Sequence, residues 1–459
     1  MYLVLDQGGQ SSRAALFSES GELVHLHQQP VSTSTPTNTS RTGWVEQSPT
    51  EIIQSLRHCL AQINDASAIK SAALVTQRSS FLCWRKDTGE PLTPVISWQD
   101  TRGAQLLGAL QLCPDEVRQR TGLFPNAHFG ASKIAWCLRQ VPAVAEALAQ
   151  GQLYIAPLST YILQQLTEED SFLVDACNAQ RTLLYNIAQE AWDTHLLQSF
   201  GVPADVLPGI GTGAEAWGHL RVQGHKVPVN LVSGDQNTAF IALGQGGSKT
   251  AVINAGTGAF IGVPTSDPQG IPQRLLQTIL PDCGYIAEGT VNGAGRALAT
   301  MAGQLECAMD NIAPLGEGDL LFLNGEGGLA APYWQADFTS RFIGQGSAQQ
   351  KLAAVQESIV FLLYRCFLET GALGEGIERL KVAGGLSQSD QFCQSVADLF
   401  QKVVIKPDVV EASAAGAAML LAGNHQWPSA GTFFQPQSDN VPRLRFDRWQ
   451  KALESALNG

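Results

Sequence analysis

The sequence predicts an α/β protein built from two domains that repeat one organisation. Each half of the chain opens with an apolar hairpin whose turn is rich in glycine, and each half then alternates buried strands with helices. At 459 residues the chain has room for two or three domains of ordinary size. We expect the duplication to divide near residues 241–249, which gives domains at 1–243 and 244–459.

The first half supplies its elements in a simple order. Short apolar runs around a polar turn predict a first hairpin, and apolar residues at helical spacing predict a helix over 50–63. Pro228 opens a further short strand, which precedes a helix-like segment. The predicted strands cover residues 2–5, 13–17, 23–26, 71–76 and 229–232, the first turn covers 6–12, and the last helix covers 238–243.

The second half repeats the pattern. A strand, a glycine-rich turn and a returning strand form a second hairpin, and a strongly apolar helix follows much later. A strand then ends at Gly384-Gly385, which predicts a turn ahead of the last predicted helix. The predicted strands cover residues 250–254, 259–263 and 380–383, the first turn covers 255–258, and the helices cover 357–370 and 392–400.

Composition excludes several classes of function. Lys and Arg number 29 against 41 Asp and Glu, giving a net charge of −12. No basic cluster interrupts this balance, so we expect no nucleic-acid partner and no membrane surface. The nine cysteines form no CxxC pair, which favours a reducing compartment. With no apolar run of membrane-spanning length and no basic residue before Arg13, we expect a cytoplasmic protein. A homodimer is compatible with the sequence.

Two aspartates stand where chemistry is expected in an α/β domain. Asp6 closes the first predicted strand just before a glycine-rich turn, where a carboxylate could hold a hydrated Mg²⁺ bound to phosphates. Asp235, in Gly234-Asp235-Gln236-Asn237, follows another strand and precedes a helix, which is a common ligand position. Each also has a plain structural interpretation, Asp6 as a turn former and Asp235 as a helix N-cap.

Other glycine patterns carry less weight. The segment from Gly244 to Thr250 has Ser248 where a P-loop requires glycine, so it predicts no P-loop. GxGxxA patterns begin at Gly211 and Gly325, but neither has a helix directly after its glycines as a dinucleotide site requires. They are therefore interpreted as turns, and an oxidoreductase has only these patterns in its favour.

Taken in order, these and further stretches resemble the FGGY carbohydrate kinases, and the N-terminal half most resembles glycerol kinases. The order and spacing of the matching stretches hold along nearly the whole chain. They are Leu5-Asp6-Gln7-Gly8, Ser11-Ser12-Arg13, Gly43-Trp44-Val45-Glu46-Gln47, Thr76-Gln77-Arg78, Trp98-Gln99-Asp100-Thr101-Arg102, Lys133-Ile134-Ala135-Trp136, Gly234-Asp235-Gln236, Gly256-Thr257-Gly258, Ala331-Pro332-Tyr333-Trp334, Glu357-Ser358-Ile359 and Gly384-Gly385.

The resemblance implies a fold, cofactors and roles. The family's fold is two actin-like (ribonuclease-H-like) domains with a cleft between them, and its cofactors are ATP and Mg²⁺. Asp235 would be the general base and, with Asp6, would lie at the metal. The implied phosphate-binding residues are Gly8, Gly9, Gln10, Ser11, Arg13, Gly256, Thr257 and Gly258, with Gly384 and Gly385 at the adenosine. The implied acceptor-binding residues are Arg78, Ser79, Trp98, His128, Asp235, Gln236 and Phe260.

The departures from the glycerol kinase pattern concern the acceptor and the first phosphate turn. Gly9-Gln10 stand where glycerol kinases have Thr-Thr, Ser79 stands in place of a Glu, and His128 in place of a Tyr. Loss of a carboxylate that pairs with glycerol hydroxyls predicts a preference for a four- or five-carbon polyol or a ketopentose. Glycerol kinase proper stays an alternative, and so does a non-catalytic actin-like nucleotide-binding protein.

Overall fold

The computed structural model describes residues 1–35, 43–211, 217–244, 249–281, 284–309, 312, 316, 318–409, 411–424, 427 and 430–458. The glycine patterns that begin at Gly211 and Gly244 run outside the described residues. The strands are β1 (Tyr2–Gln7), β2 (Ser11–Phe17), β3 (Leu23–Pro30), β4 (Glu46–Gln47), β5 (Ser71–Thr76), β6 (Phe81–Arg85), β7 (Val95–Ile96), β8 (Leu153–Pro157), β9 (Leu173–Val174), β10 (Tyr185–Asn186), β11 (Ala191–Trp192), β12 (Gly209–Ile210), β13 (His219–Val222), β14 (His225–Gly234), β15 (Thr250–Ala255), β16 (Ala259–Thr265), β17 (Leu276–Ile279), β18 (Tyr285–Val291), β19 (Leu321–Leu323), β20 (Arg341–Ile343), β21 (Arg379–Ala383), β22 (Val403–Pro407) and β23 (Gly431–Phe434).

Helices cover these sheets, and none of them in the described part of the chain is long and apolar enough to cross a membrane. They are α1 (Pro49–Ala61), α2 (Ala104–Ala109), α3 (Pro114–Thr121), α4 (Gly130–Gln140), α5 (Pro142–Ala149), α6 (Leu158–Leu166), α7 (Ala176–Gln180), α8 (Thr194–Phe200), α9 (Asp235–Leu243), α10 (Gly295–Gln304), α11 (Ala348–Glu369), α12 (Ala372–Glu375), α13 (Asp390–Phe400), α14 (Ala412–Ala422) and α15 (Val441–Asn458).

The chain forms two compact units. The first comprises Met1–Ala242 with two later segments, Thr278–Cys283 and Val410–Pro428, and the second comprises the rest. Helix α14 lies in the second of those segments. Although it comes late in the sequence, it packs on strands β1 and β5 of the first unit. The two units are therefore not two uninterrupted stretches of sequence.

A six-stranded sheet organises the first unit, in the order β13-β14-β5-β1-β2-β3. Strands β1 and β2 form an antiparallel hairpin, while β1, β5 and β14 run parallel. Both β1 and β5 are buried along their whole length, as expected for strands covered on both faces. Leu3, Leu5 and Leu74 contribute to a core that also receives Ile52 and Leu56 from α1.

The second unit repeats this arrangement in a seven-stranded sheet, in the order β17-β18-β16-β15-β21-β22-β23. Strands β15 and β16 form the hairpin, and β21 lies parallel to β15 just as β5 lies parallel to β1. The long helix α11 covers the sheet and packs against β18 and α13. The predicted α/β class and the repeated hairpin organisation are thus confirmed.

Several predicted boundaries are wrong, each for a local reason. Strand β1 continues to Gln7, because Asp6 pairs with Arg13 across the hairpin, so the turn is shorter than expected. Strand β14 begins at His225, ahead of Pro228, because it also forms a hairpin with β13. Helix α9 begins at Asp235, and α11 begins at Ala348 with a capping box formed by Ser347 and Gln350.

Candidate active site

Three parallel strands of the first unit end at the same edge of the sheet. Gln7 of β1 is in register with Thr76 of β5, and Thr76 is in register with Gly234 of β14. Asp6 lies one residue before the end of β1, and Asp235 directly follows the end of β14. The carboxyl ends of parallel strands are where α/β proteins bind ligands. The fold therefore brings the two candidate aspartates to one edge.

Asp6 is a buried carboxylate, with 3% of its surface exposed. Its Oδ2 atom accepts a hydrogen bond from Arg13 Nη1 at 3.5 Å, whereas its buried Oδ1 atom has no hydrogen-bond partner among the described residues. Burial and the negative charge of Asp235 together raise the pKa of Asp6 to about 7, although Arg13 opposes that rise. An unpartnered buried carboxylate oxygen is costly unless a donor or a cation occupies the space beside it.

Asp235 is the first residue of α9, where its Oδ1 atom accepts a hydrogen bond from the Gln236 backbone N–H at 2.7 Å. Burial raises the pKa of Asp235, and the guanidinium groups of Arg78 and Arg181 oppose that rise. Asp235 therefore has a structural role at the start of α9, and two guanidinium groups act on its charge. Those cations favour a carboxylate that is charged and able to accept a proton.

Arg13 bridges two carboxylates from distant parts of the sequence. Besides Asp6, its Nε atom pairs with Glu411 Oε2 at 3.1 Å. Glu411 directly precedes α14, which packs on β1. The guanidinium group is consequently fixed beside the first glycine turn. In that turn, Gly8 N donates to Ser11 O at 2.9 Å, and Gln47 Nε2 donates to Gly9 O at 2.8 Å.

Helix α14 also supports the helix that carries Asp235. A Cβ atom at Gly416 would lie 1.8 Å from the carbonyl oxygen of Thr238, so only glycine permits this approach of the two helices. Asn237, in the first turn of α9, accepts a hydrogen bond from Arg78 at 3.4 Å and donates one to the Ile279 carbonyl at 2.6 Å. Asn237 thereby connects Arg78 to the helix that begins at Asp235.

Four of the residues predicted for the acceptor, Arg78, Ser79, Trp98 and His128, lie on three loops of the first unit. Trp98 is 41% exposed, its backbone N–H donates to Ser80 Oγ at 3.0 Å, and its carbonyl contacts His128 Nδ1 at 3.0 Å. Ser79 adopts a left-handed backbone conformation with φ of 63°. Trp98 Nε1 lies close to Gly9, 3.7 Å from the position a Cβ atom would take. The loop that carries Trp98 therefore adjoins the first glycine turn.

Phe260 is the exception among the predicted acceptor residues. It lies on β16 of the second unit, opposite Asn254 of β15 and Thr290 of β18, whereas the other six lie in the first unit. Gln236, by contrast, follows Asp235 in α9 and lies beside the strand edge.

The second unit brings its two predicted turns to one sheet edge. Asn254 of β15 is in register with Ala383 of β21, and each strand then enters a glycine turn. Thr257 is exposed, and its carbonyl accepts hydrogen bonds from the backbone N–H groups of Ala294 and Arg296, both at 3.1 Å. The turn at residues 256–258 is therefore fastened to the start of α10.

Gly384 and Gly385 differ in what surrounds them. Gly384 has φ of +91°, and a Cβ atom there would lie 2.5 Å from Asn254 Oδ1 and 2.6 Å from the Ala255 carbonyl oxygen. A Cβ atom at Gly385 would meet nothing within 4 Å. Gly384 is required by the protein's own backbone, and Gly385 faces open space that a ligand could occupy.

Sequence reasoning missed several residues of this site. Glu411 follows no motif near Asp6, and only the folded chain brings it to Arg13. Asn237 belongs to the Gly234-Asp235-Gln236-Asn237 stretch. Its position two residues after Asp235 was the feature of the sequence that could have indicated a role in the site. Arg181 had no local signal that distinguished it from a structural cation.

Comparison with known proteins shows the family of this chain. The N-terminal domain of the FGGY family of carbohydrate kinases matches residues 1–244, and the family's C-terminal domain matches residues 251–424. The glycerol kinase of Alkalilimnicola ehrlichii is 32% identical over 99% of this chain and 98% of its own length. The glycerol kinase of Thermus brockianus is likewise 32% identical, with the same coverage.

Solved structures share the fold. The glycerol kinase of Plasmodium falciparum with ADP has a TM-score of 0.85 at 23% identity, covering 99% of this chain and 98% of that one. The xylulose kinase of Rhodospirillum rubrum also has a TM-score of 0.85, at 20% identity with the same coverage. The chain therefore belongs to the FGGY family of carbohydrate kinases, and it is an ATP-dependent carbohydrate or polyol kinase that uses Mg²⁺.

Proposed function

We propose that the protein transfers the γ-phosphoryl group of ATP to a hydroxyl group of a four- or five-carbon polyol or a ketopentose. The observation that carries the proposal is the loop of Arg78 and Ser79 beside Asp235. The loop retains a cation for contacting hydroxyl groups but has a short neutral side chain where a glycerol site needs a carboxylate. The space that the shorter side chain leaves accommodates additional carbons of a longer acceptor.

Asp235 acts as the base in this proposal. An alcohol is a weak nucleophile until its proton has an acceptor, and a carboxylate held at a strand end can receive that proton. Arg78 and Arg181 favour the charged form of Asp235 against the effect of burial on its pKa. The other residues proposed to contact the acceptor are Arg78, Ser79, Trp98, His128, Gln236 and Phe260.

The site fits Mg²⁺ on a structural ground. At this sheet edge the negative charge of Asp235 adds to the effect of burial in raising the pKa of Asp6, and Asp6 Oδ1 is buried without a partner among the described residues. Hard oxygen ligands of this kind suit Mg²⁺, held directly or through its water. Asp6 and Asp235 would hold the ion, which neutralises negative charge on the phosphates when it is bound.

We assign the proposed nucleotide contacts to two sequence domains. The N-terminal domain, residues 1–243, would supply the acceptor residues other than Phe260 and the phosphate contacts of Gly8, Gly9, Gln10, Ser11 and Arg13. The C-terminal domain, residues 244–459, would supply phosphate contacts at Gly256, Thr257 and Gly258, with Gly384 and Gly385 at the adenosine. Backbone N–H groups in such turns favour anions. The free thiols of every described cysteine support a cytoplasmic location.

Glycerol kinase proper is the second candidate function. It is favoured by the relatives that match this chain over nearly its whole length, several of which are glycerol kinases at 29–32% identity. The two candidates differ in which acceptor has the higher specificity constant. They make the same prediction about Asp235.

A coupled assay of ADP formation distinguishes the candidates. Glycerol, erythritol, ribitol, xylitol, ribulose and xylulose are each titrated against saturating ATP·Mg²⁺, and kcat/KM is compared. We expect a four- or five-carbon acceptor to have the highest value. A highest value for glycerol would favour the second candidate, and turnover with none of the six would support the non-catalytic alternative.

Gly385→Val is expected to raise the KM for ATP by about tenfold or more, since the new side chain would enter the space that faces the adenosine. The acceptor KM should change little. Gly384→Val is a poorer test, because its side chain would collide with the protein itself before any ligand. Gly108→Val is a matched control, since a Cβ atom there also meets nothing within 4 Å. An unchanged ATP KM in Gly385→Val would contradict this placement.

A further inference from the structure

Lys133 is a buried cation that the proposed chemistry does not use. It lies in α4 with 0% of its surface exposed. Its Nζ atom donates hydrogen bonds to the carbonyl oxygens of Ser79 at 3.2 Å and Ser97 at 2.9 Å. Both partners are backbone atoms, and each belongs to a loop that carries residues proposed to contact the acceptor.

The position of Lys133 relates it to three segments of the proposed acceptor site. Ser79 follows Arg78 directly, and Ser97 precedes Trp98. Helix α4 itself begins two residues after His128, whose Nδ1 atom contacts the Trp98 carbonyl at 3.0 Å. One side chain therefore ties together the loops of Arg78, Trp98 and His128, although it reaches none of those side chains.

The two hydrogen bonds fix backbone that would otherwise be poorly constrained. Ser79 holds a positive φ of 63°, a conformation that residues with a Cβ atom rarely adopt and that persists only when surroundings enforce it. The bond from Lys133 to the Ser79 carbonyl is such a constraint. A second link between the same loops runs from the Trp98 backbone N–H to Ser80 Oγ at 3.0 Å.

The electrostatic setting of Lys133 is consistent with a role as a donor. Burial, together with the positive charge of Arg102, lowers the pKa of Lys133 to about 7, although Asp100 opposes that shift. Asp100 is itself engaged by Arg102 at 2.7 and 2.9 Å and by the Val45 backbone N–H at 2.7 Å. Neutral or charged, the amine has enough hydrogens to serve both carbonyls.

From this geometry we infer that Lys133 is a positioning residue that sets acceptor affinity and specificity by holding the loops of Arg78, Ser79 and Trp98 in one arrangement. The inference rests on the proposed function, since it requires those loops to contact the acceptor. Lys133 touches neither substrate nor the reacting atoms in this account. Its loss should therefore change acceptor binding much more than nucleotide binding.

The test replaces Lys133 by Met, which keeps an unbranched chain and removes the donors. We expect the acceptor KM to rise by about tenfold or more, while the ATP KM stays within about twofold of the wild-type value. Lys381→Met is the matched control, because Lys381 is also buried, at 5% exposure, but lies on β21 of the second unit. Its acceptor KM should stay unchanged.

A rescue experiment separates positioning from general stability. In Lys133→Ala, added propylamine should lower the acceptor KM at least about threefold by restoring a donor in the vacated space, and propylamine should have no such effect on Lys381→Ala. If Lys133→Met does not fold, Lys133→Ala without propylamine, which also removes the donors, takes its place in the KM measurement.

The outcomes distinguish this inference from the proposed function. Unchanged acceptor KM in folded Lys133→Met, or equal rises in the acceptor and ATP KM values, would overturn the positioning role. Arg78→Met is measured in parallel. If Arg78→Met also leaves the acceptor KM unchanged, the proposed acceptor site is wrong. If Arg78→Met raises it while Lys133→Met does not, only the inference about Lys133 fails.

Discussion

Replacing Asp235 by Asn is expected to lower kcat by about 10²- to 10⁴-fold, the usual contribution of a general base. Asn has nearly the same size, and its side-chain oxygen can still accept the hydrogen bond from the Gln236 backbone N–H. The start of α9 should therefore be kept. What is lost is the ability to take the proton of the acceptor hydroxyl.

Two measurements make the Asp235 prediction specific. The affinity for ATP, measured by calorimetry without Mg²⁺, should remain near the wild-type value, because Asp235 would meet the nucleotide only through the ion. Asp193→Asn serves as a control, since Asp193 is a buried aspartate that caps α8 by accepting from the Leu196 backbone N–H at 2.9 Å. It should retain wild-type kcat. A kcat near wild type in Asp235→Asn would remove Asp235 from the role of base.

Ser79→Glu is expected to shift the ratio of specificity constants toward glycerol by about tenfold or more, since each hydrogen bond to a charged group contributes about 1.5–3 kcal/mol. The carboxylate would pair with glycerol hydroxyls and would fill the volume proposed for the longer acceptor. Both Ser and Glu have a Cβ atom, so the positive φ at this position adds no new strain.

Ser79→Gln is the matched control for that substitution. It has the size of Glu without the charge, so it should reduce activity on the longer acceptor without a comparable gain on glycerol. If Ser79→Glu and Ser79→Gln behave alike, the effect comes from size alone. If neither changes the ratio, residue 79 does not determine acceptor choice, and the substrate argument loses its basis.

The sequence was informative where function coincides with local pattern. Asp6 and Asp235 each follow a recognisable strand, and the register of β1, β5 and β14 brings their strand ends together. Glu411 could not be found in this way, because its contact with Arg13 joins residues from opposite ends of the chain. The same holds for Gly416, whose need for glycine depends on how closely α14 approaches Thr238.

Local signals were also misjudged within single elements. The N-terminal turns of α11 are polar, with Gln349, Gln350 and Lys351, so apolar periodicity placed the helix start at residue 357 instead of 348. The capping box of Ser347 and Gln350 was the better indicator. The adjacent glycines at 384 and 385 looked equivalent in sequence. In the folded protein, a Cβ atom at Gly384 would collide with neighbouring residues, whereas one at Gly385 would face open space.

The central claim is that the acceptor is longer than glycerol, and a competition experiment tests it most directly. The wild-type enzyme receives limiting ATP·Mg²⁺ with equal concentrations of glycerol and the best five-carbon acceptor, and phosphorus NMR measures the two phosphomonoesters. For competing substrates, the initial product ratio equals the ratio of the kcat/KM values. We predict that the five-carbon phosphate forms in excess. An excess of glycerol phosphate would contradict the account.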